Sequence, residues 1–122
     1  MQKIRRGEVY YADLGQMAGC ETRGRSPVLI LQSDEGLHSS PTVIVAPITS
    51  RHQGGCHEMH VQLEDIRHYQ TKDRASLWYS IALLEQIRAI DRSRLGRYLC
   101  RVSNAKMIEA EQALKFCLGL KT

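Results

Sequence analysis

Long apolar runs are missing from this chain. The longest, Val28–Leu31 and Val43–Ile48, fall far short of the roughly 18 residues that a membrane helix requires. A secretory leader is not expected either. Met1-Gln-Lys-Ile-Arg-Arg opens with the right charge, but Glu8 and Asp13 interrupt the apolar stretch that would have to follow. A cytoplasmic protein with no membrane partner is expected. The four cysteines, Cys20, Cys56, Cys100 and Cys117, have no paired spacing, which argues against a disulfide framework. Cys100 and Cys117 sit in apolar surroundings and are expected to act as small buried hydrophobes. Aromatics make up 6% of the chain, so Trp78 and Tyr79, whose rings could stack on a nucleic-acid base, are equally good core residues. There is no Walker loop, no strand-linked GxGxxG, no nucleophile elbow and no HExxH helix. The cofactor and hydrolase chemistries built on those motifs therefore have no anchor.

What is present reads as one ordinary globular domain. The 122 residues, 43% hydrophobic and 25% charged, suffice for a single core without disulfide or metal support. Residues 1–122 contain no internal repeat or low-complexity tract and are read as one domain. Net charge is +4, and twelve of the seventeen basic residues are arginine, whose planar fork matches phosphate oxygens in pairs. They gather at Arg5/Arg6, at Arg23/Arg25, and at Arg88, Arg92, Arg94, Arg97 and Arg101, where Asp91 is the local acid. Such clustering points either to an RNA, DNA or acidic-protein partner or to a solvated basic face. One further cluster, His52, Cys56, His57 and His60, brings together side chains of the types that bind zinc. Gly54-Gly55 and the lack of a second ligand pair at finger spacing make a polar loop the default there.

The local pattern is mostly strand. Glu8–Leu14 is rich in β-formers, and Pro27–Gln32 and Pro41–Thr49 are short apolar runs opened by proline. Pro47 suggests an edge or bulge near the end of the latter. His60–Leu63 is a weaker strand, Ala75–Leu84 holds one or two more, and Ile87–Ile90 is read as the last. Gly15–Ser26 is read as a loop and Ser33–Ser40 as a turn region. Helical signal comes late. Asp91–Gly96 resembles one capped turn, and Ser103 caps a helix over 104–118 with Met107, Ala110, Leu114 and Cys117/Leu118 on one stripe and Gly119 as the stop. Short strands at this spacing with one terminal helix predict an α+β fold, a small β-barrel or rolled antiparallel sheet closed by the C-terminal helix.

The outstanding polar residues flank strands. Glu21, Arg23, Arg25 and Ser26 precede Pro27, while Thr49, Ser50 and Arg51 follow Ile48. If those strands pair, an acid, arginines and hydroxyls meet at one rim. RNA carries its own nucleophile in the 2′-hydroxyl, so such a rim need only orient it, take its proton and stabilise charge on the phosphorus. The same residues are also ordinary turn formers.

Several blocks then carry a family resemblance over nearly the whole chain. They are RRGEVYYADLG (Arg5–Gly15), Gly19 and Glu21 followed by SPVLILQSD (Ser26–Asp34), SPTVIVAPITS (Ser40–Ser50), LLEQIRAIDRSRL (Leu83–Leu95) and EQALKFCLGL (Glu111–Leu120). In this order they resemble the MazF/PemK family of toxin endoribonucleases. The resemblance implies an SH3-like barrel with short helices, a homodimer, and sequence-specific cleavage of single-stranded RNA without metal or other cofactor. The implied products are 2′,3′-cyclic phosphate and 5′-hydroxyl ends. The implied regulator is a cognate antitoxin whose disordered tail occupies the RNA groove and folds as it binds. Carried over by resemblance, Thr49 would hydrogen-bond the scissile phosphate, Glu21 would position RNA or transfer a proton, and Gln86 would contact a base or the antitoxin tail. Arg23, Ser26 and Ser50 would add RNA or antitoxin contacts.

One position departs from the family. An arginine there stands directly before the proline of the second strand and is the principal catalytic cation; here that position is Ser26, and the arginine is Arg25. Along a strand one residue reverses the face of a side chain. Either Arg25 reaches back from a loop and the nuclease works, which is the reading preferred, or the protein binds RNA or antitoxin without efficient cleavage.

Overall fold

The computed structural model describes residues 3–15, 24–50, 57–69 and 76–121. Seven strands and two helices follow one another as β1 (Glu8–Asp13), β2 (Arg25–Ile30), α1 (Asp34–Ser39), β3 (Thr42–Thr49), β4 (His60–Tyr69), β5 (Ser76–Leu83), β6 (Arg88–Asp91), β7 (Leu95–Arg101) and α2 (Asn104–Leu118). Single 3₁₀ turns at His57–Met59, Leu84–Gln86 and Arg92–Arg94 link several of them. The strands form one antiparallel sheet in the order β4-β5-β3-β2-β1-β7, with β6 pairing β3 off that path. The mixed α+β class agrees with the sequence reading, but the hydrogen-bonded pairing is that of an open sheet rather than a closed barrel.

β3 organises this topology. On one side it pairs β2; on the other it pairs β6 through Val45 and β5 from Ile48 onward. Pro47 falls between those two partners, where a residue without an N–H is tolerated. It therefore marks a change of neighbour inside a central strand, not an edge.

Pro27–Ile30 and Val45–Ile48 are buried on both faces, which is why PVLI and VAPI lack polar alternation, whereas Thr42 and Ile44 at the start of β3 are exposed. One face packs Val9, Leu29, Leu31, Ala46 and Ile48 with Met107, Ala110 and Ala113 of α2. The other gathers Tyr10, Ala12, Leu14, Val28, Ile30, Val43, Val45 and Ile90 with Leu37 of α1. Alternate residues of β1, β2 and β3 thus feed two cores.

Local chemistry explains the ends. Ser33 Oγ accepts from the Gly36 amide at 3.1 Å and starts α1, a helix absent from the sequence reading. Ser103 Oγ accepts from the Lys106 amide at 3.2 Å and starts α2. Gly119 ends it at φ 69°, with the Leu120 amide returning to the Lys115 carbonyl at 2.9 Å, a left-handed cap that glycine adopts without strain. On α2, Met107 and Ala110 are buried as expected, and Ala113 joins them. Leu114 and the half-buried Cys117 pack at the margin with Cys100, whereas Leu118 is exposed. β7 was also unforeseen. It pairs β1 with two register shifts, and a Cβ on Gly96 would lie 3.1 Å from the Tyr11 carbonyl oxygen. Glycine there permits the bulged approach.

Candidate functional site at the ends of β2 and β3

Arg25 and Ser26 lie within β2 rather than in the loop before it. The ladder with β1 sets Asp13 opposite Arg25 and Ala12 opposite Ser26. Alternation therefore places Ser26 on the face of Val28 and Ile30, and Arg25 on the opposite one. Their surroundings differ accordingly: Ser26 is 4% exposed, while Arg25 is exposed. The buried hydroxyl donates to the carbonyl of its own neighbour Pro27 at 3.1 Å, a local bond that satisfies it without a second strand.

Across β2, Val28 stands opposite Pro47. The paired stretch ends at Val28 and Pro47; Ser26 and Thr49 lie two residues beyond it at neighbouring strand ends, and alternation gives them the same face. Thr49 is half-buried and Ser50, just beyond β3, is exposed. Gln86 is the half-buried last residue of the Leu84–Gln86 turn. That turn fills the gap where β3 exchanges β5 for β6, so Gln86 sits beside the Pro47 end of β3. Glu21 and Arg23 lie outside the described residues, as do His52 and Cys56 of the candidate metal cluster. Of that cluster, His57 is exposed in a 3₁₀ turn and His60 pairs with Glu85. Among the described residues no group of three potential ligands gathers, and no helix is long and apolar enough to cross a membrane.

The late arginine group separates into distinct roles. Arg92 donates to the carbonyls of Leu37 and Ser40 at 2.8 and 3.2 Å, clasping the end of α1. Arg94 donates to the Asp13 carbonyl at 3.3 Å and Arg88 to the Leu14 carbonyl at 3.0 Å. Arg97 and Arg101 are exposed on β7. Consecutive carbonyls at the end of β1 are thus held by two arginines, Arg94 from the turn that leads into the adjoining β7 and Arg88 from β6, which pairs β3. In a flat sheet β6 and β1 would be about 14 Å apart, so the Arg88 contact requires strong curling. Sequence reasoning grouped Arg88 with its neighbours in the chain. Its position beside Leu14 depends on the β3–β6 and β1–β2 ladders together, and no local pattern carries that information.

Among the described residues two groups have clearly displaced acidities. Burial, reinforced by the Glu8 carboxylate that accepts from the Tyr10 hydroxyl at 3.0 Å, pushes the Tyr10 phenol up to about 12. Asp91 is held below the usual carboxylate range by the Ser93 hydroxyl and amide, at 2.7 and 2.9 Å.

This fold is shared with solved bacterial proteins. MazF from Deinococcus radiodurans superposes with a TM-score of 0.76 at 23% identity, over 98% of this chain and 100% of that one. A mycobacterial endoribonuclease solved with its cognate antitoxin gives 0.72 at 24% identity, over 98% of each chain. Sequence relatives are much nearer. Endoribonuclease MazF of Staphylococcus epidermidis is 45% identical over 117 residues, covering 96% of this chain and 92% of that protein. Its namesake from Staphylococcus saprophyticus is 44% identical over 119 residues, covering 98% and 94%. The model of the PemK-like, MazF-like toxins of type II toxin–antitoxin systems matches residues 5–118. This chain belongs to that family.

Proposed function

We propose that the protein is an endoribonuclease toxin that cleaves single-stranded RNA at the rim formed by the ends of β2 and β3. The observation that carries this reading is that Ser26 and Thr49 lie at adjoining ends of the paired strands β2 and β3, on one face by alternation, in a chain 45% identical to a protein named for that activity. In the proposed reaction the 2′-hydroxyl loses its proton and its oxygen attacks the adjacent phosphorus. The bond to the 5′-oxygen breaks, and that oxygen takes up a proton, leaving 2′,3′-cyclic phosphate and 5′-hydroxyl ends. Thr49 donates its hydroxyl to a phosphate oxygen, where negative charge grows in the transition state. Glu21 positions the RNA or moves the proton, and Arg23, Ser50 and Gln86 hold the strand or the antitoxin tail. Arg25 can add charge from the neighbouring face. The same reading takes the curled sheet as an SH3-like barrel open at one seam.

A cognate antitoxin is the proposed regulator, in keeping with the relatives solved with one, and a cytoplasmic homodimer the proposed functional form. One observation favours a second reading, a binder that cuts poorly: Ser26 carries no charge and its hydroxyl bonds its own main chain. Incubating long single-stranded RNA with the protein in EDTA and mapping the fragment ends separates the two. Discrete cuts with cyclic-phosphate ends support the nuclease. Intact RNA, from protein shown to be folded, supports the binder.

A further inference from the structure

We propose that Arg88 is the cation of this site, contacting the scissile phosphate from the face that carries Ser26 and Thr49. The inference rests on the nuclease reading above and deepens it. The first support is register. Arg88 stands opposite Val45 in the β3–β6 ladder, and directly opposed residues of an antiparallel pair project to the same face. Val45 belongs to the core shared by Val28, Ile30 and Leu14, which is the face of Ser26 and, by alternation along β3, of Thr49.

The second support is where the guanidinium ends. Arg88 Nη2 donates to the Leu14 carbonyl at 3.0 Å. The Leu14 amide in turn donates to the Gly24 carbonyl at 2.8 Å, so Leu14 stands opposite Gly24, two residues before Ser26. Strand spacing then puts the Leu14 and Ser26 Cα atoms about 8 Å apart. The side chain therefore runs across the curled face from β6 to the rim where β1 and β2 end.

Chemistry agrees with the placement. Arg88 is half-buried, and a partly desolvated charge acts more strongly on a phosphate than one in bulk water. A guanidinium has five donors in a fixed fork, the geometry that pairs a phosphate in two-pronged fashion. Arg25, the nearest arginine in sequence, alternates to the other face.

The test uses Arg88→Gln, which removes the charge but keeps an N–H donor for the Leu14 carbonyl. Two quantities are read: cleavage of a reporter RNA, and salt-dependent binding of the same oligomer with its scissile 2′-hydroxyl methylated. Cleavage is expected to fall by about 10²–10³-fold. The slope of log affinity against log salt should shrink by about 0.7, one single-strand phosphate contact. Adding Ser26→Arg to Arg88→Gln restores a guanidinium to the same face and should recover cleavage by about tenfold or more. A folded Arg88→Gln protein with parental cleavage and slope overturns the proposal. So does a loss of cleavage with the slope unchanged and no rescue by Ser26→Arg, which would make Arg88 a strut for β1. If Arg88→Gln does not fold, Arg88→Lys replaces it: reduced cleavage with the parental slope supports the two-pronged contact, and parental cleavage overturns it. A parent protein that binds the methylated oligomer through Arg88 yet never cuts retains the phosphate contact and defeats the nuclease reading. A parent that neither binds nor cuts defeats both.

Discussion

The imidazole of His60 and the carboxylate of Glu85 meet with Nε2 2.7 Å from Oε2, the His60 side chain only 6% exposed and that of Glu85 28%. The contact joins the first residue of β4 to the 3₁₀ turn that ends in Gln86. It therefore fixes a turn at the site from a strand remote in sequence. Replacing Glu85 with alanine leaves a buried ring without this partner. The expected cost is on the order of 1–3 kcal/mol in urea unfolding, with weaker RNA binding as the Gln86 turn loosens. Unchanged stability and binding in Glu85→Ala would remove the pair from any role at the site.

Thr49→Ala tests the rim directly. A hydrogen bond to a charged group is worth about 1.5–3 kcal/mol, so single-turnover cleavage should slow by roughly 10- to 150-fold. The thermal midpoint should stay close to the parent's because Thr49 is outside both buried clusters. A large loss of stability would assign Thr49 to the fold instead.

Tyr10 supplies a pH prediction. Its pKa in the folded chain is pushed from the ordinary value of 10.0 up to about 12 by burial and the Glu8 carboxylate. Between those values the folded chain holds a proton that the unfolded chain has released, so unfolding becomes easier as pH rises. Its contribution to stability is complete below pH 10 and is lost as pH approaches 12. Absorbance titration should find one late-ionising tyrosine, and Glu8→Gln should bring that transition down. No late transition would contradict the Tyr10–Glu8 contact.

Leu29 is fully buried in the central strand β2. Leu29→Ala should cost about 2–5 kcal/mol, a large share of the roughly 5–15 kcal/mol that holds a domain of this kind together. Denaturant titration reads this directly, and a loss below about 1 kcal/mol would mean the core collapses around the gap.

The reach of the sequence differs from element to element. Ser103 and Gly119 announced both ends of α2 because helix caps are local chemistry. Asp91 likewise announced the turn at 92–94, where it accepts from the Ser93 amide. α1, at six residues, is too short for periodicity to register, and β7 hides because its exposed, bulged sequence LGRYLCR breaks alternation. The same divide runs through the site. Thr49 and Ser26 stood out as polar residues ending apolar strands, but whether Arg25 shared their face depended on where β2 begins. Arg88 stood out only as one of a run of arginines, since its contact with the Leu14 carbonyl depends on two ladders that no window of sequence contains.

Because Pro27–Ile30 of β2 and Val45–Ile48 of β3 are buried on both sides, these stretches offer no neutral surface on which substitutions can accumulate. A change at Val28 or Ala46 disturbs a core whichever way it points. Divergence near the candidate site is thereby confined to strand ends and connections such as Arg25, Ser26, Thr49 and Ser50. A lineage under pressure to change what this edge binds can redraw those margins while the sheet behind them stays fixed.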